Sequence, residues 1–393
     1  MNFSATAQMI ADDIQAGFPG ISLGILYRDQ IVLRQFSGYA CKYADDGTLL
    51  SEFEPIGADT VFDLASNSKI YATTLAYLYL VSSGQLALDD QVVKFFPRYR
   101  HSTVTLRQLL SHSAGYAPEV LFFDSDSAAE FYSLDRKRVG QLLIEEVPLV
   151  YQPGTQAIYS DSGFMLLGFI LEEISGVRLD KLLQQTIYQP LGLKHTGFNP
   201  LLNGFNFRQI AATSLGNGCN GTMNYPQMRT GLIRGEVQDE KAFYCCEGIA
   251  GHAGLFSTLD DMLKLTQLIL NRGRLDDIQL FSAEVLAEFY KPSPVNPAFC
   301  CGWRNSYSLE LQKTFGRFMN AGCRGHSGFT GTLSLVDFDN QLAIIILTNK
   351  VHSQCINRMS YAGSNYNSGK YAPLIEAIYQ DLSLNNRNGN NKF

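Results

Sequence analysis

Residues Phe62 to Gly84 read FDLASNSKIYATTLAYLYLVSSG, a polar lead-in of Ser66, Asn67, Ser68 and Lys69 running directly into a long apolar segment. From Leu75 to Val81 every residue is apolar, so no face is left for water, and a helix of that composition belongs at the centre of a protein. The join predicts the start of a buried helix and Gly84 its stop. Ser66 and Lys69 stand three apart, which on a helix puts them on one face with Cβ atoms about 5–6 Å apart. The amine can then reach the hydroxyl, and the free N–H groups of the first turn favour negative charge beside Ser66. An activated serine nucleophile needs a neighbouring base and donors for its tetrahedral adduct. A serine cap beside a surface lysine gives the same spacing by accident. Two features favour the catalytic reading: this is the only Ser-x-x-Lys in the chain, and it opens the segment that looks most buried.

With 393 residues, 46% hydrophobic and 17% charged, the chain has an ordinary soluble composition and length for one large or two ordinary domains. A net charge of −6 without an extended Lys/Arg cluster argues against a nucleic-acid or polybasic membrane partner. No apolar run of eighteen residues occurs, so no transmembrane segment is expected. The N-terminus has no basic n-region, and Asp12 and Asp13 interrupt any apolar h-region, so it does not read as a secretory signal. The compartment stays open: cytoplasm if Met1 is native, cell envelope if a signal or anchor was removed. Eight cysteines include the adjacent pairs Cys245-Cys246 and Cys300-Cys301, too close at Cα for a bridge within either pair. No C-x-x-C or H-x-x-x-H spacing is present, so mostly buried, reduced thiols are expected, with no metal site and no cofactor.

Ala5 to Gly17 reads as an amphipathic helix, and GISLGILYRDQIVLRQFSGYA as a hairpin turning at Arg28-Asp29-Gln30, followed by a loop from Asp45 to Asp59. From Gly84 to about Ala298 the signal is mostly helical. Thr105 caps a short helix ending at Gly115, GFMLLGFILEEISG carries helical spacing until Gly176, Thr258 to Asp261 looks like a capping box, and Ser282 caps a further helix. Leu201 to Phe256 is long, weakly periodic and rich in Gly and Asn, as loops that line a site often are. Beyond Ala298, WRNSYSLELQ reads as a strand, GHSGFTGTLSLVDFDNQLAIIILTNK as a hairpin turning at Asp337 to Gln341, Tyr371 to Leu382 as a final helix, and 383–393 as a polar tail. Strands near both termini predict a sheet completed by both ends of the chain: an α/β subdomain (1–65 with 299–382) and a mainly helical subdomain (66–298) in one catalytic unit, 1–382.

Three boxes then fall in order: Ser66-Asn-Ser-Lys69, Tyr159-Ser-Asp161 and His326-Ser327-Gly328. With them the chain resembles the serine β-lactamase and penicillin-binding protein superfamily, class C-like branch, from Gly20 to Leu382. The stretches DLASNSKIYATT, LLSHSAGYAPEV, YQPLGLKHTGFNP, RGEVQDEKAF, GIAGHAGLFST and ILTNK are similar to a YfeW-type penicillin-binding protein 4B subgroup, described as weak D-alanyl-D-alanine carboxypeptidases. The implied fold is of α/β (α+β), β-lactamase/transpeptidase-like type, an antiparallel sheet flanked by terminal helices with a large helical insertion.

The resemblance implies that Ser66 attacks a carbonyl, with its oxyanion between the backbone N–H groups of Ser66 and Phe329, and that water hydrolyses the acyl-enzyme. Lys69 and Tyr159 would share the proton traffic, yet their free pKa values are about 10.4 and about 10, so neither is a base at neutral pH without help. Asp161 stands where the family usually has Asn. Ionised against Lys69, it would keep the ammonium charged and leave Tyr159 as the base; alternatively it caps the following helix. His326 stands where β-lactamases of this branch show Lys, and a group titrating near pH 6.5 would weaken carboxylate recognition or make it pH-dependent. Poor β-lactam hydrolysis follows. Gly328 fits because a side chain there would crowd an approaching substrate. Tyr116 and the Leu201–Phe256 loop are candidates for shaping substrate entry, whereas His112 and His252 read as bonding to loop backbone. The expected ligands are small peptides or esters, with muropeptides and β-lactams among them. A D-Ala-D-Ala carboxypeptidase-like hydrolase leads; a carboxylesterase and a non-turnover β-lactam or muropeptide sensor are the rivals.

Overall fold

The computed structural model describes residues 1–219, 225, 227–305 and 309–384. Hydrophobic alternation builds its main sheet. The hairpin Gly20–Tyr27 and Gln30–Tyr43 turns at Arg28 and Asp29, whose φ angles of 51° and 61° suit a two-residue connection. In the seven-stranded sheet the order is 49–55, 30–43, 20–27, 342–348, 332–337, 323–327, 304–305, each neighbouring pair antiparallel. Both ends of the chain therefore meet in adjacent central strands, Ile21 opposite Thr348 and Tyr27 opposite Leu342.

Along Leu342–Thr348 the side chains sort by the period of two. Ile344 and Ile346 join Ile21, Leu23 and Ile25 against Ile10, Leu374, Ile375 and Ile378 of the terminal helices Ser4–Gln15 and Ala372–Asp381. Ala343, Ile345 and Leu347 face the other way, into the larger core that holds helices Leu75–Ser82, Asp161–Ser175 and Leu259–Leu270. That core is continuous from the sheet to the helical part of the chain.

Several expectations are corrected. The Asp45–Asp59 segment contains the strand Leu49–Pro55, hidden because its residues are mostly exposed and carry no apolar alternation. The late hairpin is three strands, Cys323–Ser327, Thr332–Asp337 and Leu342–Thr348, with an extra turn at Gly328–Gly331. In WRNSYSLELQ only Arg304–Asn305 are strand and a helix runs over Leu309–Phe315; residues 306–308 lie outside the described residues, as does the expected tail from 385 onward. Thr258 caps its helix by accepting from the Asp261 N–H, but Asp261 turns away to His195 N and Thr196 Oγ1, so half the box forms. Leu201–Phe256, apart from 220–224 and 226, which are not described, contains the helix Glu240–Cys246 and a strand entering at Leu255. Cys219 and Cys355 form a disulfide with Cα atoms 5.7 Å apart, while the other six cysteines are free and buried. Among the described residues no helix is long and apolar enough to cross a membrane.

Candidate active site

Ser66 sits in a 3-10 turn, Ala65–Asn67, and the segment Lys69–Thr74 that follows is π-helical before regular α-helix begins at Leu75. The expected helix start is thus corrected to two wider and tighter turns, a departure often seen at functional sites. Side chains of the box itself fasten it. Asn67 donates to Thr332 Oγ1 at 3.0 Å and accepts from Ser334 Oγ at 2.9 Å, and Ser68 Oγ accepts from Leu255 N at 3.0 Å. Asp63, one turn earlier, accepts from Ala65 N at 2.9 Å and from Gln238 N at 2.7 Å. Ala65 is held at φ 46°, in the left-handed region, directly before the serine.

Lys69 is fully buried and donates to Ser66 Oγ at 3.0 Å and to the His252 carbonyl at 3.2 Å. Its Nζ lies 2.8 Å from Asp161 Oδ1 and 4.8 Å from the Tyr159 ring centroid. Burial alone would push the Lys69 ammonium down; the Asp161 carboxylate and the Tyr159 oxygen outweigh it and hold it above its ordinary value. Burial pushes the Tyr159 phenol up, partly offset by Lys69, with Asp161 raising it further; its oxygen hydrogen-bonds to Lys69 and Ser66. For Asp161 burial is overcome by Lys69 and then Lys241, so it stays ionised well below the usual carboxylate range. The resting state is a charged lysine and a protonated tyrosine.

Asp161 is not the helix cap. Ser160 is, accepting from Gly163 N at 3.3 Å and donating to the Ala117 carbonyl at 2.6 Å, which leaves Asp161 free to point at Lys69. The Tyr159 ring is sandwiched between His112, at 4.6 Å between centroids, and His326, at 5.8 Å. His112 Nδ1 accepts from the Ser160 backbone N–H at 3.0 Å, as expected. His326 corrects its expectation: it is 3% exposed, lies behind the phenol, and donates from Nδ1 to the Ser327 carbonyl at 2.8 Å. Burial, then the charges of Lys69 and Arg304, push it down to about 3, so it is neutral at pH 6.5 instead of titrating there. Gly328 is also required for another reason: a Cβ there would overlap Thr332 Oγ1 and the Leu64 carbonyl, the seam between strand and nucleophile turn.

Ser66, Tyr159, Asp161 and Phe329 line one cavity of about 460 Å3 together with Glu119, Asp239, Glu240, Lys241, Arg358 and Met359. Ser327 belongs to the adjoining strand, paired with Leu333. A larger groove of about 890 Å3 lies elsewhere, around Arg136, Glu172 and Arg178, and includes none of these site residues. Tyr116 is not at the site: its hydroxyl bonds to Tyr99 and the Leu143 carbonyl inside the helical core. His252 bonds through Nε2 to Asp239 at 2.9 Å, not to backbone. Asp239 and Lys241 went unassigned in the sequence; the RGEVQDEKAF stretch held them without any spacing to mark them. Asp161, Asp239 and His252 come within cation-binding range of one another, and the positive charge present there is the Lys241 ammonium, 3.3 Å from Asp161 and 3.4 Å from Asp239.

The Beta-lactamase family profile matches residues 6–362. An N-acetylmuramyl-L-alanine amidase of Bacillus subtilis (strain 168) is 39% identical over 389 residues, 95% of this chain and 88% of that protein. A protein of Escherichia coli (strain K12) named "Putative D-alanyl-D-alanine carboxypeptidase" is 42% identical over 389 residues, 95% of this chain and 89% of that protein. The octameric penicillin-binding protein homologue from Pyrococcus abyssi superposes with a TM-score of 0.67 at 22% identity, over 98% of this chain and 77% of the other.

Proposed function

Because this chain belongs to the Beta-lactamase family of serine hydrolases, we propose that it hydrolyses an amide bond of peptidoglycan-derived peptides through an acyl-enzyme on Ser66. The observation that carries the reading is the contact of Ser66 Oγ with Lys69 Nζ at 3.0 Å, at the wall of a cavity that Tyr159 also lines. Both relatives are named for bonds in such peptides.

Ser66 Oγ attacks the carbonyl while its proton passes to the Tyr159 oxygen; the charged Lys69 cannot accept it. Tyr159 serves in its minority phenolate form, which the adjacent ammonium stabilises, and returns the proton to the leaving amine. The N–H groups of Ser66 and Phe329 receive the oxyanion. Water then enters, gives a proton to Tyr159 and attacks the acyl carbonyl; as the ester bond breaks, Tyr159 passes that proton to the departing Ser66 Oγ and the acid is released.

A D-Ala-D-Ala carboxypeptidase-like activity is one form of this reading. The burial and neutrality of His326 favour a second, cleavage of the amide joining N-acetylmuramic acid to L-alanine, because the third-box side chain itself carries no charge with which to hold a terminal carboxylate. The test offers the enzyme muramyl-L-alanyl-D-isoglutamine and diacetyl-Lys-D-Ala-D-Ala side by side, with products read by mass spectrometry and Ser66→Ala as control. Faster release of the muramyl acid supports the second form, and faster release of D-alanine the first. Turnover of short p-nitrophenyl esters with neither peptide cleaved would replace both with a carboxylesterase.

A further inference from the structure

Behind Ser66 the charges form a chain of alternating sign. Asp161 bridges two ammonium groups, Lys69 through Oδ1 at 2.8 Å and Lys241 through Oδ2 at 3.3 Å. Lys241, on the helix Glu240–Cys246 and only 6% exposed, also meets Glu119 Oε2 at 2.8 Å and Asp239 Oδ2 at 3.4 Å. Asp239 in turn bonds to His252, whose carbonyl receives Lys69. The loop closes on itself.

We propose that Lys241 is a positioning residue for hydrolysis: it neutralises the outer oxygen of Asp161, so that a carboxylate can stand at the second box without fixing the Tyr159 proton in place. This rests on the proposed function for its account of Tyr159. An isolated carboxylate beside Lys69 would raise both the lysine and the phenol, making the base harder to form. The pairing with Lys241 lets Asp161 orient Lys69 with much of its field cancelled. The RGEVQDEKAF stretch and the Asp of the second box are then two halves of one device.

The groups facing this cluster are Glu119, Asp239 and His252 around Lys241, Lys69, His112 and His326 around Tyr159, Arg304 near the two histidines, and Arg358 on the cavity wall. Glu240, next in the chain, is engaged by the Tyr225 hydroxyl at 3.3 Å. Removing Lys241 leaves Asp161 to Lys69 and Asp239 to His252 and the Ala242 N–H, and takes from Glu119 its ion pair. Removing the charge of Asp161 does the reverse, leaving Lys241 to Glu119 and Asp239.

The experiment follows the rate of Ser66 acylation by p-nitrophenyl acetate from pH 5 to 10 in wild type, Lys241→Met, Asp161→Asn, the double variant and Lys241→Arg, with thermal unfolding in parallel. Lys241→Met should slow acylation at pH 7 by about tenfold or more and move the acidic limb to higher pH; Asp161→Asn should move it to lower pH. The double variant should return the limb to within about half a unit of wild type, and Lys241→Arg should retain it. A limb unmoved by Lys241→Met, or a double variant with multiplied losses, overturns the proposal. A merely structural Lys241 would lower the unfolding temperature and leave the limb in place. Should Lys241→Met fail to fold, the double variant and Lys241→Arg carry the same comparison. If wild-type Ser66 is not acylated at all, the proposed function falls and this inference with it. If it is acylated but cleaves no muropeptide, only the substrate reading falls and the Lys241 result stands.

Discussion

At the scale of single residues, the site depends on which polar groups are kept neutral and which are kept charged. His326 is neutral because it is buried beside Lys69 and Arg304, so it supplies no cation to a substrate carboxylate. Penicillins should therefore act as slow acylating ligands, an outcome read from the decay of the β-lactam absorbance; rapid turnover at neutral pH would refute it. His326→Gln should leave the pH profile of acylation without a change near pH 6.5, since the group it removes does not titrate there. Ser160 does two jobs, capping one helix and anchoring the Ala117 carbonyl, so Ser160→Ala should cost about 1–2 kcal/mol in denaturant unfolding. Ser66 and Lys69 were legible from their spacing on one turn, whereas Tyr159 and Asp161 were picked out only by the family resemblance. Lys241 and Asp239 were not, since they reach the site from a segment that has no periodicity and acquire meaning only beside Asp161. The burial of His326 was equally invisible: a strand position says which face a residue takes, not what else packs behind it.

At the scale of elements, two close approaches place the reacting groups. The helix Asp161–Ser175 presses Gly168 against Gly251, and Thr73 Oγ1 donates to the Gly251 carbonyl at 2.6 Å. A Cβ at Gly251 would overlap the Phe164 carbonyl. Gly251→Ala should therefore destabilise by about 1–3 kcal/mol and lower kcat, because Asp161 and the His252 carbonyl both contact Lys69. Unchanged kcat with normal stability would show that the two segments can part without disturbing the lysine. The second approach is the hairpin Cys355–Asn357 and Ser360–Tyr361, which puts Arg358 and Met359 at the cavity and is fastened by the Cys219–Cys355 bridge and by Met359 N to the Cys219 carbonyl at 2.7 Å. Cys355→Ser, or reduction, should raise KM more than it lowers kcat. The helices with apolar spacing and glycine stops were readable from sequence, as was the first hairpin. The bridge was not, because two cysteines 136 residues apart carry no mark of their pairing.

At the scale of the whole molecule, a buried histidine just beyond the strand Leu342–Thr348 ties distant segments together. His352 accepts from Lys42 N at 2.8 Å and donates to the Thr213 carbonyl at 2.8 Å, and burial pushes it down to about 4. His326 and His352 are thus neutral when folded but protonate near pH 6.5 when unfolded, so the unfolded chain binds more protons below that pH and stability falls as pH drops. Each should remove about 2 kcal/mol between pH 7 and pH 5, read by urea unfolding at both values. A flat profile over that interval would mean these histidines are solvated in the folded protein. The meeting of strands from both termini followed from apolar alternation at the two ends, while the expectation that three boxes converge on one cavity came from the family resemblance. The measurement that bears most directly on the account is intact-mass analysis of the protein mixed with N-acetylmuramyl-L-alanyl peptide and quenched within milliseconds to minutes. A transient gain equal to the muramyl acyl group, mapped to Ser66, absent in Ser66→Ala and decaying as free acid accumulates, is the predicted result. Product formation without an adduct at Ser66, or undiminished turnover by Ser66→Ala, would contradict it.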